Sequence, residues 1–97
     1  MHSPGELERL KRSWALTTRY LRIAEQQLTE GIAGTEATQL FQENLEHNEL
    51  ERALDALEEI GSDSRSKQFW SSLLRAAENM NLESHAARYR LILSGVG

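Results

Sequence analysis

The sequence predicts an all-α fold, in which a long N-terminal helix packs with two short helical hairpins as a bundle of four to five helices. Apolar residues recur three and four positions apart through most of the chain, which is typical of amphipathic helices. The breaks between these stretches are short and contain Gly, Asn or Ser. A chain of 97 residues suffices for one hydrophobic core, so we predict a single helical domain over residues 1–97, with disorder at 1–3 and 95–97.

The first helix is predicted from about Pro4 to about Glu30. Ser3 suits the N-cap and Glu6, three residues later, completes a capping box, while Gly31 marks the end. Such a helix would be about 40 Å long, which favours some overhang from so small a domain. The apolar side of this helix packs either against the other helices of its own chain, which we favour, or in part against a second copy. The candidate dimer seam is Leu7, Leu10, Trp14, Leu21 and Leu28.

The second and third helices are predicted at about 36–46 and 49–60, joined by a hairpin or sharp corner at His47 and Asn48. We expect Asn48 to cap the third helix with Glu51 as its capping-box partner. Gly61 is expected to close that helix in the left-handed conformation. The predicted buried residues are Ala37, Leu40, Phe41, Leu45, Leu50, Ala53, Leu54, Leu57 and Ile60.

The fourth and fifth helices are predicted at about 67–79 and 82–93, with Asp63 or Ser66 as the cap of the fourth. The break at residues 79–81 contains two asparagines, which tolerate the left-handed region of the backbone. Both tryptophans, Trp14 and Trp70, lie on apolar faces and are predicted to be core residues. The other predicted buried residues are Phe69, Leu73, Leu74, Ala77, Met80, Leu82, Ala86, Tyr89, Ile92 and Leu93.

The composition argues against an enzyme and against a metal or cofactor protein. There is no cysteine, no glycine-rich phosphate loop, and no metal-ligand spacing among His2, His47 and His85. We therefore predict no catalytic residue, no metal and no cofactor. No run of about 18 apolar residues and no signal-peptide pattern occurs, so we predict a cytoplasmic protein without a membrane partner.

The acidic charge is concentrated in the middle of the chain. Residues 36–60 carry eight carboxylates and only one basic residue, Arg52, although the net charge of the whole chain is only −4. A surface of this kind repels nucleic acid and attracts basic proteins. We predict a basic protein partner and no nucleic acid, although a solvated face that maintains solubility remains an alternative. The candidate partner-binding residues are Glu43, Glu46, Glu49, Glu51, Asp55, Glu58 and Glu59.

Two blocks of the sequence resemble small helical immunity proteins of bacterial toxin–immunity systems. The first contains Phe41, residues 45–50 (LEHNEL), Ala53, Leu54 and Leu57, and the second contains Phe69, Trp70, residues 76–82 (AAENMNL) and residues 85–90 (HAARYR). The resemblance covers roughly residues 40–90 and leaves the long first helix outside. It implies a cytoplasmic antidote that binds a cognate toxin and occludes its active site without catalysis. The alternative is a structural or adaptor protein that dimerises through its first helix.

Overall fold

The structure, a computed structural model, describes residues 4–28 and 36–95, apart from the side chains of Pro4 and Ala37. These two ranges form five helices and no strand: α1 (Pro4–Gln26), α2 (Glu36–Glu46), α3 (Leu50–Ile60), α4 (Lys67–Asn79) and α5 (Glu83–Gly95). The predicted all-α class, the long N-terminal helix and the two hairpins are confirmed. Of the residues predicted to be disordered, 1–3 and 95–97, all but Gly95 lie outside the described residues, as does the predicted burial of Ala37. Gly95 is the last residue of α5.

Helix α4 packs against both α1 and α5, whereas α2 packs against α3. The amide nitrogen Nδ2 of Asn79, at the end of α4, lies 2.9 Å from the Ser13 carbonyl oxygen and 2.7 Å from Thr17 Oγ1. Tyr20, further along α1, lies beside Arg75, one turn earlier on α4. The two helices are therefore antiparallel, and α4 ends at the level of Ser13.

The core lies between α1, α3, α4 and α5, with Phe41 contributed by α2. The C-terminal half of α1 buries Thr17, Leu21 and Ala24 in it. The remaining buried apolar residues are Leu50, Ala53, Leu54, Ala56, Leu57, Phe69, Trp70, Leu73, Ala76, Ala77, Ala86 and Tyr89. The prediction that Leu40 is buried was wrong: its side chain is 52% exposed, because its neighbour Phe41 is the α2 residue that enters the core.

The turn between α2 and α3 is closed by Asn48 in the left-handed region, with φ of 57°. The backbone N–H of Glu49 donates to the carbonyl of Asn44 at 2.8 Å, and Asn48 N–H donates to Leu45 at 3.0 Å. The N-cap of α3 is Glu49, whose side chain makes no capping hydrogen bond. The predicted capping box of Asn48 and Glu51 was therefore wrong, because an N-cap residue needs an extended backbone and Asn48 ends the preceding helix.

The turn between α4 and α5 repeats this geometry 33 residues later. Asn81 has φ of 59°, which confirms the left-handed break predicted there. Leu82 N–H donates to Ala77 at 2.9 Å, and Asn81 N–H donates to Glu78 at 3.1 Å. Every donor and acceptor of this turn is thus offset by 33 residues from its counterpart, a spacing close to that of tandem helical-hairpin repeats.

The start of α4 is fixed by two serines. Ser66 Oγ accepts a hydrogen bond from Phe69 N–H at 3.2 Å, which confirms Ser66 as the N-cap. The indole N–H of Trp70 donates to the Ser64 carbonyl at 2.8 Å, so the ring is buried with its polar atom satisfied. Phe69 meets the Trp70 ring edge-on, with centroids 5.0 Å apart.

Gly61 ends α3 for a steric reason and not for a conformational one. Its φ is −98°, so the predicted left-handed closure was wrong. A Cβ atom placed at Gly61 would overlap the Phe69 ring, because Cζ and both Cε atoms of that ring lie within 3 Å of its position. The glycine is therefore required by the close approach of α3 to the start of α4.

We expect Gly61→Ala to destabilise the fold by about 1–3 kcal/mol, because the added methyl group forces the Phe69 ring out of its position. Urea denaturation followed by circular dichroism measures the change. Gly5→Ala is the matched control, since nothing lies within 4 Å of a Cβ at Gly5. A Gly61→Ala protein as stable as the Gly5→Ala protein would contradict this account of Gly61.

Candidate functional site

The structure separates the seven predicted partner-binding carboxylates into three groups. Glu43, Glu46, Glu49 and Glu51 surround the α2–α3 turn, and we call them the acidic turn. Asp55 and Glu58 project toward α5, where they meet side chains of that helix. Glu59, near the other end of α3, forms no ion pair among the described residues, although it lines a cleft of about 400 Å³ together with Asp55, Glu58 and Trp70. The structure therefore does not unite the seven residues in one surface.

Glu58 is held by two residues of α5. Arg88 donates from Nε and Nη2 to the two carboxylate oxygens, at 2.8 and 2.7 Å, which is the bidentate geometry of a strong ion pair. The Tyr89 hydroxyl donates to Glu58 Oε1 at 2.7 Å. All the donors come from its own chain, so Glu58 is not available to a partner without breaking these bonds.

Asp55, one turn earlier on α3, also contacts a side chain of α5. His85 Nε2 lies 2.7 Å from Asp55 Oδ1. The offset of 30 residues recurs in the Glu58–Arg88 pair, so α3 and α5 run parallel and are bridged by polar side chains. We call Asp55, Glu58, His85, Arg88 and Tyr89 the ionic seam. The sequence does not predict the ionic seam because its residues come from two helices that are not adjacent in sequence, although the acidic residues of α3 and the basic residues of α5 were a signal for it.

The protonation equilibria of the ionic seam follow from these contacts. Partial burial acts to raise the pKa of Glu58, but the hydrogen bonds from Arg88 and Tyr89 outweigh it, and the pKa is lowered from its ordinary value of 4.5. The pKa of Tyr89 is raised, first by burial and then by its hydrogen bond to the Glu58 carboxylate. The pKa of Arg88 is raised chiefly by its hydrogen bonds to Glu58. At neutral pH the Glu58 carboxylate is therefore ionised and paired with the Arg88 guanidinium, and the Tyr89 hydroxyl keeps the proton that it donates to Glu58.

The ionic seam also brings together three side chains of metal-ligating type. Ligand atoms of Asp55, Glu58 and His85 all lie within 4.8 Å of one another. However, both oxygens of Glu58 already accept hydrogen bonds from Arg88, and a metal ion there would lie beside a guanidinium charge. The Asp55–His85 contact would also have to open. The arrangement is that of an intramolecular clamp between α3 and α5, and its residues do not fit a metal site.

The acidic turn differs from the ionic seam because it is exposed and mostly unpaired. Glu43, Glu46 and Glu51 are exposed and have no ion-pair partner among the residues that the structure describes. Glu49 lies 3.4 Å from Arg52 Nη1, and both side chains are exposed, so this pair contributes little. The acidic turn is thus a surface of negative potential that the described chain does not neutralise.

The predicted dimer seam on α1 is divided by the end of α4. Leu21 is fully buried in its own chain, and Leu28 packs against the core from the turn after α1. Leu7, Leu10 and Trp14 remain 43%, 38% and 39% exposed. The intrachain interpretation is thus confirmed for the C-terminal half of the seam. The prediction that Trp14 is a core residue was wrong, because α4 ends at the level of Ser13 and cannot cover it.

A groove of about 430 Å³ lies where α1 leaves the bundle. Leu10 and Trp14 form one wall, and the two left-handed turns contribute Asn48 and Asn81. Glu51 of the acidic turn is its charged lining residue. The sequence could not predict this groove because three distant segments form it, although the matching asparagines 33 residues apart were a signal that the two turns are equivalent.

Comparisons with family models, with curated proteins and with solved structures give no match to this chain. The resemblance to immunity proteins therefore stays a prediction. None of the described helices combines the length and the hydrophobicity that crossing a bilayer requires.

The contribution of Glu58 to stability should be lost in acid. Because the pKa of Glu58 is lowered in the folded state, its contribution is present above pH 4.5 and disappears as the pH falls through the folded-state value. We expect Glu58→Gln to cost about 1–2 kcal/mol near neutral pH, and we expect this cost to shrink steadily as the pH is lowered below 4.5, measured by urea denaturation. The control is Glu59→Gln, at the exposed residue next to Glu58. We expect its effect on the free energy of unfolding not to change with pH in this way. If Glu58→Gln lowered the free energy of unfolding by the same amount at every pH, this assignment would be contradicted.

Proposed function

We propose that the chain is a non-catalytic protein-binding domain that recognises a basic protein partner through the acidic turn. The observation that carries this proposal is the contrast between two sets of carboxylates on neighbouring segments. Side chains of α5 hydrogen-bond Asp55 and Glu58, whereas Glu43, Glu46 and Glu51 are exposed and form no ion pair among the described residues.

The unpaired carboxylates repel one another. Glu43 and Glu46 are three residues apart on one face of α2, and a like-charge pair at this spacing costs a few tenths of a kcal/mol. Glu49 and Glu51 follow directly on the next turn. A cationic protein surface placed against these four carboxylates would remove this repulsion and gain attraction, and its approach would be steered over distances comparable to the Debye length.

The structure narrows the set of residues in this proposal. Asp55 and Glu58 are left out, since a partner would have to displace Arg88 and His85 to reach them. Glu59 lies ten residues from Glu49 at the far end of α3, about 15 Å away along the helix axis. It contributes to the negative field and not to the contact surface.

The resemblance to immunity proteins suggests a specific form of this function. In that form the chain is a cytoplasmic antidote, its partner is a basic toxin domain, and it acts by occluding the toxin's active site. Tight binding alone accounts for such an inhibition, and electrostatic steering accelerates the capture. No catalytic group, metal or cofactor is needed.

The test is affinity capture from the native cell extract with the unmodified chain and with Glu43→Gln/Glu46→Gln/Glu51→Gln. We expect the unmodified chain to retain a basic protein and the triple variant to lose most of it. Once the captured protein is purified, stopped-flow mixing should show an association rate lower by about tenfold at low salt and a weaker dependence on ionic strength.

The matched control is Glu36→Gln/Glu59→Gln/Glu83→Gln, which removes the same charge from exposed positions outside the acidic turn. We expect this control to retain the captured protein. Equal loss in both variants would mean that net charge alone matters, and unchanged capture by the acidic-turn variant would place the binding site elsewhere.

A further inference from the structure

The groove where α1 leaves the bundle adjoins the acidic turn. Its lining includes Asn48, Leu50 and Glu51, which lie in the α2–α3 turn and in the first residues of α3. Asn48 is the left-handed residue between Glu46 and Glu49, and Glu51 is itself a member of the acidic turn. A protein that lands on these carboxylates therefore also meets the mouth of the groove.

The lining of the groove combines apolar side chains with one negative charge. Leu10 and Trp14 form the wall on α1, where they are four residues apart and 38% and 39% exposed. Met80 and Leu82, both half-buried, add apolar surface from the α4–α5 turn. Glu51 is the charged lining residue, and none of the described residues that line the groove is basic. The groove therefore suits an apolar side chain that has a cation beside it.

The acidic turn and the groove supply the two components that a tight interface needs. Charge on the surface steers a partner and sets its association rate, whereas most of the affinity comes from an apolar anchor that is desolvated in a pocket. The groove has a volume of about 430 Å³, within the range of roughly 300–1,000 Å³ that is typical of ligand sites. A carboxylate-rich surface beside such a pocket fits a ligand that is both cationic and apolar.

We infer that the occupant of the groove is one turn of a basic amphipathic helix of the partner. Leu10 and Trp14 form a ridge at i and i+4, and the ridges of one helix pack into the grooves beside those of another. An apolar side chain of the partner helix inserts beside Trp14, and a lysine or arginine one turn away along that helix pairs with Glu51. This inference rests on the proposed function and specifies the chemistry of the partner.

A second exposed leucine beside the acidic turn provides a comparison. Leu40 lies on α2 three residues before Glu43 and is 52% exposed. If the partner needed only an apolar contact close to the carboxylates, Leu40 would serve as well as Leu10. Because Leu10 lines the groove together with Trp14, an anchor inserted there loses more contact with water. The inference therefore requires Leu10 and not Leu40.

Trp14 reports directly on the groove. The chain has two tryptophans, and Trp70 is only 2% exposed, so the quencher acrylamide reaches mainly Trp14. The probe is a synthetic peptide of about 14 residues that contains only lysine and leucine, with the leucines at helical spacing. We expect it to bind at low salt and to protect Trp14 from quenching. Two control peptides, with serine in place of every leucine or glutamate in place of every lysine, should give no protection.

Leu10→Ser and Leu40→Ser are the matched variants of the chain. Both leucines are exposed, so each variant should keep its helical circular dichroism spectrum. We expect the dissociation constant of the lysine–leucine peptide to rise about tenfold in Leu10→Ser and to stay nearly unchanged in Leu40→Ser. Glu51→Gln should raise it severalfold, and this effect should fade as salt is added.

The outcomes separate this inference from the proposed function. If Glu43→Gln/Glu46→Gln/Glu51→Gln abolished binding of the peptide and Leu10→Ser left it unchanged, the groove would be overturned as the anchor site and the acidic turn would stand. If the triple variant bound the peptide as well as the unmodified chain, both proposals would fall. Absence of binding, or equal protection by the glutamate peptide, would overturn the inference. Self-association of the chain that Leu10→Ser abolishes would also overturn it, since the occupant would then be a second copy.

Discussion

The side-chain amide of Asn79 determines where the longest helix meets the rest of the molecule. It lies at the last residue of α4 and donates to the Ser13 carbonyl oxygen and to Thr17 Oγ1, which fixes the axial position of α1 on α4. A shift of one turn along this contact would be about 5.4 Å. It would pull Trp14 into the core or push Leu21 out of it. The division of the apolar stripe of α1 into a buried C-terminal half and an exposed N-terminal half therefore follows from the position of this contact.

Charge acts on the fold in two opposite ways on either side of α3. On the α5 side, the carboxylates of Asp55 and Glu58 join two parallel helices that make few direct backbone contacts, and they do so through bonds of 2.7–2.8 Å. On the α2 side, Glu43, Glu46 and Glu51 have no ion-pair partner among the described residues, and these carboxylates repel one another. A carboxylate that its own chain neutralises stabilises the fold, whereas one that stays unpaired sets the potential that an approaching protein encounters. The same stretch of acidic sequence thus has a structural part and a part that faces solvent.

The sequence was sufficient for the features that depend on local chemistry. Periodicity located the bounds of α2 and α4. Ser66 was one of the two caps predicted for α4, and Asn81 is one of the two asparagines of the break predicted at residues 79–81. It failed where a contact joins segments that are distant in sequence. Gly61 matched a helix-closing signal, but its actual constraint is the ring of Phe69. The sequence did not distinguish the seven predicted carboxylates from one another. Nothing in their spacing indicates that Arg88 and His85 contact only Glu58 and Asp55. Trp14 and Leu21 belong to one stripe, and only the end of α4 separates them.

The repetition of one turn at Asn48 and Asn81 explains why the free surface is concentrated at one end of the bundle. The two hairpins turn in the same way, and their second helices, α3 and α5, run parallel. Their turns therefore lie at the same end of the bundle. Because α1 is antiparallel to α4, its N-terminal part leaves the bundle where α4 ends, beside both turns. Backbone turns must stay near solvent and cannot extend the core to cover an emerging helix. Leu10 and Trp14 are consequently exposed because of the way the hairpins are connected.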